Sequence, residues 1–124
     1  ASVVTSAATV PRAPDTPAST ARCDRIAVVL IGTGTPDPDP KRAGPGTLVQ
    51  VGGQNLLFDV GRYSVPRLNA AGVKLDSLAR VFLTHLHSDH VTDLPDLLLT
   101  SRIPGPYGGR VQSLGLTGPP GTLA

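Results

Sequence analysis

The 124-residue sequence is short of several residue types, and each shortage limits what the chain can be. A single cysteine, Cys23, excludes both an internal disulfide and a metal site of the Cys-x-x-Cys type. With no Trp, two Phe and two Tyr, the apolar core must consist mainly of Leu, Val and Ala. No apolar run approaches the roughly 18 residues of a membrane-spanning helix, so no membrane span is predicted. There is no Met, even at position 1, and we therefore expect that residues upstream are missing from this sequence.

Positive and negative charges are nearly balanced. Lys and Arg number 11, Asp and Glu number 9, and the net charge is +2. This excess is too small to indicate a nucleic-acid-binding surface by itself. The 14 glycines and 13 prolines exceed the average of roughly 12% of residues for the two together, so loops and turns should be abundant.

Two regions of different composition define the predicted domain organisation. Residues 1–24 are rich in Ala, Ser, Thr and Pro, and they cannot bury enough apolar surface to offset the entropy lost on ordering. We therefore predict a flexible tail, which is compatible with either a cytoplasmic or an exported protein. Residues 25–124 contain apolar runs bounded by glycine and proline, which is typical of a folded domain.

The folded region is predicted to combine a sheet with two helices. Short apolar runs bounded by turn residues are typical of strands, and five are predicted here: 26–31, 47–51, 55–60, 80–84 and 111–116. The pair Gly52-Gly53 predicts a hairpin turn. Helices are predicted over 64–71 and 91–101, with Thr92 as the N-cap of the second.

All three histidines fall within six positions, at the predicted end of the fourth strand. Residues i and i+2 of an extended segment point the same way, so His85 and His87 can reach one ion. Asp89 and His90 follow where the chain turns towards a helix, and they can reach a second point nearby. Imidazole with carboxylate suits Zn²⁺ or another first-row ion. Three incidental histidines are a poor alternative, because a polar cluster at a strand end is costly unless it is neutralised.

The sequence around these histidines is similar to a known superfamily. His85-Leu86-His87-Ser88-Asp89-His90 resembles the HxHxDH signature of the metallo-β-lactamase-fold hydrolases. Residues 31–36 resemble the first strand and glycine turn of that superfamily, and residues 57–61 resemble its Asp-x-Gly turn. The Leu-Pro and paired leucines within 91–98 are similar to the ribonuclease Z and phosphodiesterase-like branch. The resemblance covers roughly residues 26–122.

The resemblance implies an α+β fold: the N-terminal half of a four-layer αββα metallo-β-lactamase-type sandwich, with a mixed sheet and flanking helices. It implies that His85 and His87 bind the first of two zinc ions, and that Asp89 and His90 bind the second; manganese or iron are alternative metals. Asp89 is also implied as the catalytic proton acceptor. Asp59 is implied to orient a ligand histidine, although the residues alone leave open that it is simply a turn residue. The substrate-binding residues stay unassigned.

The function implied is hydrolysis by water that two metal ions activate, with phosphodiester bonds as the expected substrate class. A nucleic acid is one candidate substrate, and a homodimer is one candidate assembly. Two alternatives stay open: a hydrolase of thioesters, lactams or sulfate esters from the same superfamily, and a non-catalytic metal-binding or interaction fragment. No histidine follows His90, where the family supplies further ligands. We therefore expect this chain to be an N-terminal fragment with an incomplete site and little or no turnover.

Overall fold

A five-stranded mixed sheet organises the protein in the computed structural model, which describes residues 25–122. Its strands and helices follow in chain order: β1 Ala27–Gly32, β2 Gly46–Val51, β3 Gln54–Phe58, α1 Ser64–Ala70, a 3₁₀ helix Leu75–Ser77, β4 Leu78–Phe82, α2 Ser88–Val91, α3 Leu94–Thr100 and β5 Gly115–Thr117. The predicted tail, residues 1–24, lies outside the described residues, as do residues 123–124. None of the helices described has the length and hydrophobicity needed to cross a membrane.

The first three strands form an antiparallel meander. β1 pairs with β2, and β2 pairs with β3 through neighbours such as Val49 and Leu56. Gly52 and Gly53 connect β2 to β3 with φ angles of 57° and 75°. Two successive positive φ angles are typical of the tight turns that suit strand twist, and glycine adopts them without a steric penalty. The predicted hairpin is therefore confirmed.

The last two strands run parallel to β3, so each joins the sheet through a crossover. β4 pairs with β3 after α1 and the 3₁₀ helix, and β5 pairs with β4 after α2 and α3. The sheet order is thus β1-β2-β3-β4-β5. This arrangement confirms the predicted mixed sheet with flanking helices, and it places the carboxyl ends of β3 and β4 side by side. Catalytic and binding groups commonly lie at such strand ends in parallel sheets.

The two faces of the sheet have different surroundings. On one face Leu48, Leu57 and Val81 are fully buried, and Leu68 of α1 and Leu97 of α3 belong to the same core. The opposite face carries apolar side chains beside polar ones such as Arg80. Phe58 and Phe82 stack there with ring centroids 4.9 Å apart, while Val28 and Leu30 of β1 are 61% and 66% exposed within the described chain. The hydrophobic core therefore lies between the sheet and its helices.

The prediction of a single helix over 91–101 is wrong. The structure has two short helices instead, and Thr92 ends α2 rather than capping the next helix, because Asp93 precedes α3. Pro95 explains the division. A continuous helix from Ser88 onwards would bring the proline ring against the carbonyl of Val91, whereas Pro95 fits without strain in the first turn of α3.

The fifth strand is shorter than the predicted 111–116, since only Gly115–Thr117 pairs with β4. Arg110 accounts for the late start. Its guanidinium donates to the carbonyl oxygens of Leu75, Asp76 and Leu78, at 3.0, 3.0 and 2.5 Å, and so fixes the chain beneath the start of β4. Burial lowers the pKa of Arg110, and the nearby Asp76 carboxylate opposes that shift. The chain therefore pairs with β4 only from Gly115 onwards.

Candidate metal centre

The three histidines lie close together after β4. His85 and His87 belong to the loop 83–87, and His90 lies in α2. The ring centroid of His85 is 4.7 Å from that of His87 and 4.0 Å from that of His90. Asp89, which is buried in α2, places Oδ2 3.5 Å from Nε2 of His90. All four side chains predicted as metal ligands therefore gather at one end of the sheet.

Asp59 lies directly after β3 and connects the two strand ends. Its backbone N–H donates to the carbonyl of Phe82 at 2.8 Å. Its carboxylate accepts from the backbone N–H of Thr84 at 2.8 Å and from Nδ1 of His90 at 2.8 Å. Its φ of 61° is unusual for a residue other than glycine, although Asp and Asn tolerate it best. The Asp59 carboxylate therefore contacts His90, one of the predicted ligands, and the Asp59 backbone forms a turn, so both interpretations of this residue stay open.

Main-chain hydrogen bonds hold the His90 segment against the segment that follows β3. The N–H of Val60 donates to the carbonyl of His90 at 2.7 Å, and the N–H of Asp93 donates to the carbonyl of Val60 at 3.0 Å. The Asp93 carboxylate accepts from the N–H of Val65, at the start of α1, at 2.9 Å. Asp93 was not predicted as a contact between helices. An acidic residue at a helix start usually caps its own helix, and its long-range partner leaves no local signal.

Two glycines, Gly44 and Gly61, allow the loop before β2 to pack closely against the turn after β3 and α2. A Cβ atom on Gly61 would lie 2.5 Å from the carbonyl oxygen of Asp89 and 2.6 Å from the carbonyl carbon of Gly44. The N–H of Gly44 donates to the carbonyl of Arg62 at 2.8 Å. The loop before β2, the turn after β3 and α2 therefore pack backbone to backbone, which fixes the position of Asp89.

The donor chemistry of this cluster fits a first-row metal ion. Imidazole nitrogen and carboxylate oxygen are the ligands that zinc takes in proteins. Asp59 occupies Nδ1 of His90, so Nε2 of the same ring is left for another partner. As the side chains stand, however, no three His, Cys, Asp or Glu within residues 25–122 form a group that could hold a metal ion. The rings are neighbours, and binding would require their donor atoms to turn towards a common point.

Solved structures with a similar fold share a superfamily. The metallo-beta-lactamase fold protein YhfI from Bacillus subtilis is similar over 79% of this chain and 38% of its own, with a TM-score of 0.68 and 26% identity. The short form of human tRNase Z is similar over 77% of this chain and 35% of its own, with a TM-score of 0.66 and 32% identity. The protein therefore has the metallo-β-lactamase fold, and the described chain covers part of it.

Sequence comparison identifies a narrower group. Ribonuclease Z of Mycobacterium marinum is 50% identical over 97 residues, which are 78% of this chain and 34% of that protein. The family model described as "Anti-Pycsar protein Apyc1" matches residues 26–104. The chain therefore belongs to the Apyc1 family, within the metallo-β-lactamase-fold superfamily. The similarity to ribonuclease Z and tRNase Z confirms the resemblance to the ribonuclease Z-like branch. It spans about a third of the length of the curated relatives it matches.

Proposed function

We propose that the protein is a metal-dependent hydrolase that cleaves phosphodiester bonds. The observation that carries this proposal is the hydrogen bond between Asp59 and Nδ1 of His90, within a cluster of three imidazoles and a buried carboxylate. Metal-binding histidines almost always donate their second ring N–H to a carboxylate, a carbonyl or water. Similarity to ribonuclease Z and tRNase Z supports a nucleic acid as substrate, with transfer RNA as the specific candidate.

Each cluster residue has a role in the proposed centre. His85 and His87 bind one zinc ion, and Asp89 and His90 bind a second; manganese or iron could replace zinc in a site of this chemistry. Asp59 holds the ring of His90 through Nδ1. The buried Asp89 carboxylate accepts the proton of the attacking water. The ions, when bound, lower the pKa of water and stabilise negative charge in the transition state.

The ligand count explains why little or no turnover is expected from these 124 residues. Structural zinc takes four ligands, and catalytic zinc takes three from protein. Four side chains shared between two ions leave both under-coordinated, so further donors must complete the centre. We therefore propose that this chain carries one part of a dinuclear site. On the open face of the sheet, the exposed apolar side chains of Val28 and Leu30 are also compatible with a homodimer.

Metal titration tests the proposed ligands. Zinc binding to the metal-free protein is measured by calorimetry. We expect the wild type to bind zinc, and we expect His85→Ala or His87→Ala to weaken binding at least about 10-fold. Asp89→Ala should weaken it similarly, whereas Asp37→Ala is the matched control, because Asp37 is an exposed carboxylate in the β1–β2 loop. Equal zinc affinity in all four variants and the wild type would contradict the proposed centre.

Hydrolysis assays separate the proposed reaction from its alternatives. We expect at most slow, zinc-dependent release of p-nitrophenolate from bis(p-nitrophenyl) phosphate, and any such release should be abolished by a chelator and by Asp89→Ala. Turnover of a thioester, a lactam or a sulfate ester in place of the phosphodiester would instead support another hydrolase of the superfamily. Because the site of these 124 residues is proposed to be incomplete, the non-catalytic alternative is tested in a longer chain that carries the further donors. Zinc binding there with no hydrolysis of any of these substrates or of a ribonuclease Z substrate RNA would favour a non-catalytic metal-binding module.

A further inference from the structure

We infer that Thr84 is a positioning residue of the candidate metal centre, because its hydroxyl connects Asp59 to His85 and sets the tautomer of that imidazole. The inference rests on the proposed function above. Oγ1 of Thr84 lies 2.8 Å from Oδ2 and 3.0 Å from Oδ1 of Asp59. The same oxygen lies 3.0 Å from Nδ1 of His85. A single hydroxyl therefore contacts both a buried carboxylate and a ring proposed to bind metal.

The number of protons determines the direction of each hydrogen bond. A carboxylate has no proton to give, so Thr84 must donate its only hydroxyl proton to Asp59. The remaining lone pairs of Oγ1 can then only accept, and the group that faces them is Nδ1 of His85. Nδ1 must therefore carry the proton in the neutral ring. The lone pair that could bind a metal is consequently on Nε2 of His85.

One carboxylate thus controls two imidazoles. Asp59 accepts directly from Nδ1 of His90 and indirectly, through Thr84, from Nδ1 of His85. Both rings are held as the Nδ1–H tautomer, and both present Nε2. The two ring centroids are 4.0 Å apart, so the unprotonated nitrogens belong to neighbouring rings. His87 makes no hydrogen bond to either Asp59 or Thr84 among the described residues, and its tautomer is independent of this network.

The backbone of Thr84 allows the hydroxyl to be tested separately from the fold. Its N–H also donates to Oδ1 of Asp59, at 2.8 Å. The preceding end of β4 is anchored independently, because the N–H of Leu83 donates to the carbonyl of Thr117 at 2.8 Å. Removing only the hydroxyl, as in Thr84→Val, keeps these main-chain bonds and a side chain of similar size. Thr84→Ser restores the hydroxyl and is the conservative variant.

Nuclear magnetic resonance can observe the tautomers directly, because the sequence has only three histidines. The test uses untagged, ¹⁵N-labelled protein without metal, in mildly alkaline buffer. In long-range ¹H–¹⁵N spectra we expect His85 and His90 of the wild type as Nδ1–H forms. Thr84→Val should move His85 towards the Nε2–H form or a mixture and leave His90 unchanged. Thr84→Ser should restore His85, and Asp59→Asn should disturb both rings.

Zinc affinity gives a second readout. We expect Thr84→Val to weaken zinc binding by roughly 10-fold, in the range for partners that orient metal ligands, and Thr84→Ser to stay within about twofold of the wild type. If Thr84→Val fails to fold, judged by its amide spectrum, the wild-type tautomer and the comparison of Thr84→Ser with Thr84→Ala remain decisive.

The outcomes separate this inference from the proposed function. An Nε2–H tautomer of His85 in the wild type overturns the role of Thr84, as does a folded Thr84→Val protein whose His85 tautomer is unchanged. Either result, combined with zinc binding that depends on His85 and His87, leaves the metal centre intact. The expected tautomers combined with no zinc binding would support the hydrogen bonds from Asp59 through Thr84 to His85 and would overturn the metal centre.

Discussion

Oδ2 of Asp59 and Nδ1 of His90 lie 2.8 Å apart although 31 positions separate them in the chain. The contact joins the turn after β3 to the short helix after β4. Both residues are largely buried, with side chains 10% and 18% exposed, so water competes poorly for either atom. The orientation of the His90 ring therefore depends on where β3 ends.

Replacing Asp59 should weaken metal binding more than folding. Asp59→Asn keeps a residue type that tolerates a φ of 61°, but its amide cannot accept from Thr84 and His90 together as the carboxylate does. We expect zinc affinity to fall about 10- to 100-fold, measured by calorimetry. Asp37→Asn, in an exposed loop, is the control. Unchanged zinc affinity in Asp59→Asn would show that this carboxylate does not orient a ligand.

Gly61→Ala should destabilise the protein and displace Asp89. The added methyl group would meet the Asp89 carbonyl oxygen at 2.5 Å, and backbone atoms there cannot move aside cheaply. We expect a loss of about 2–3 kcal/mol in the free energy of unfolding, measured by urea denaturation, together with weaker zinc binding.

The matched control for this change is Gly115→Ala in β5. Its nearest atom would be Cζ of Arg80 at 3.2 Å, the end of a flexible and exposed side chain. We expect a change within about 0.5 kcal/mol there. Equal effects of the two substitutions would mean that the close approach of Gly61 to Asp89 does not constrain the fold.

Asp93→Ala should loosen the contact between α1 and the start of α3. It removes the acceptor for the N–H of Val65, a bond of 2.9 Å between segments 28 positions apart. We expect the free energy of unfolding to fall by about 1–2 kcal/mol, since a part-buried donor loses a charged partner. Asp96→Ala provides the comparison, because Asp96 is exposed and bonds only locally, to Thr100. A milder effect at Asp93 than at Asp96 would argue against the inter-helix role.

Two leucines on opposite faces of the sheet test where the core lies. Leu57→Ala removes a fully buried side chain, and we expect a loss of about 2–5 kcal/mol in unfolding free energy. Leu30→Ala, at a site 66% exposed, should change it by less than about 0.5 kcal/mol. Chemical denaturation at several protein concentrations measures both. A large, concentration-dependent loss in Leu30→Ala would mean that a second copy covers this face.

The sequence predicts well those features that depend on near neighbours. Gly52-Gly53 between two apolar runs indicates the hairpin, because few residues other than glycine accept two positive φ angles in succession. The histidine cluster is visible because its members lie within six positions of one another. The approximate positions of the strands follow from continuous apolar runs, although their ends depend on pairing partners elsewhere in the chain.

Features that depend on distant partners could not be predicted. The division of the 91–101 segment required knowing that a helix begins at Ser88, which would place Pro95 in the interior of a continuous helix. Thr84 gave no signal, since a threonine at a strand end is common and its function here comes from the position of Asp59. The late start of β5 likewise depends on the carbonyl oxygens that Arg110 contacts across the fold.

The parallel pairing of β4 on both sides has a consequence for how the protein folds. Closing the two-residue turn between β2 and β3 orders little chain, whereas each crossover to β4 and β5 must first close a long loop. The meander can therefore form early, and His90 reaches Asp59 only when β4 has docked. Metal uptake during refolding would then report the docking of β4, and a substitution that delays this docking would slow uptake without altering a single donor atom.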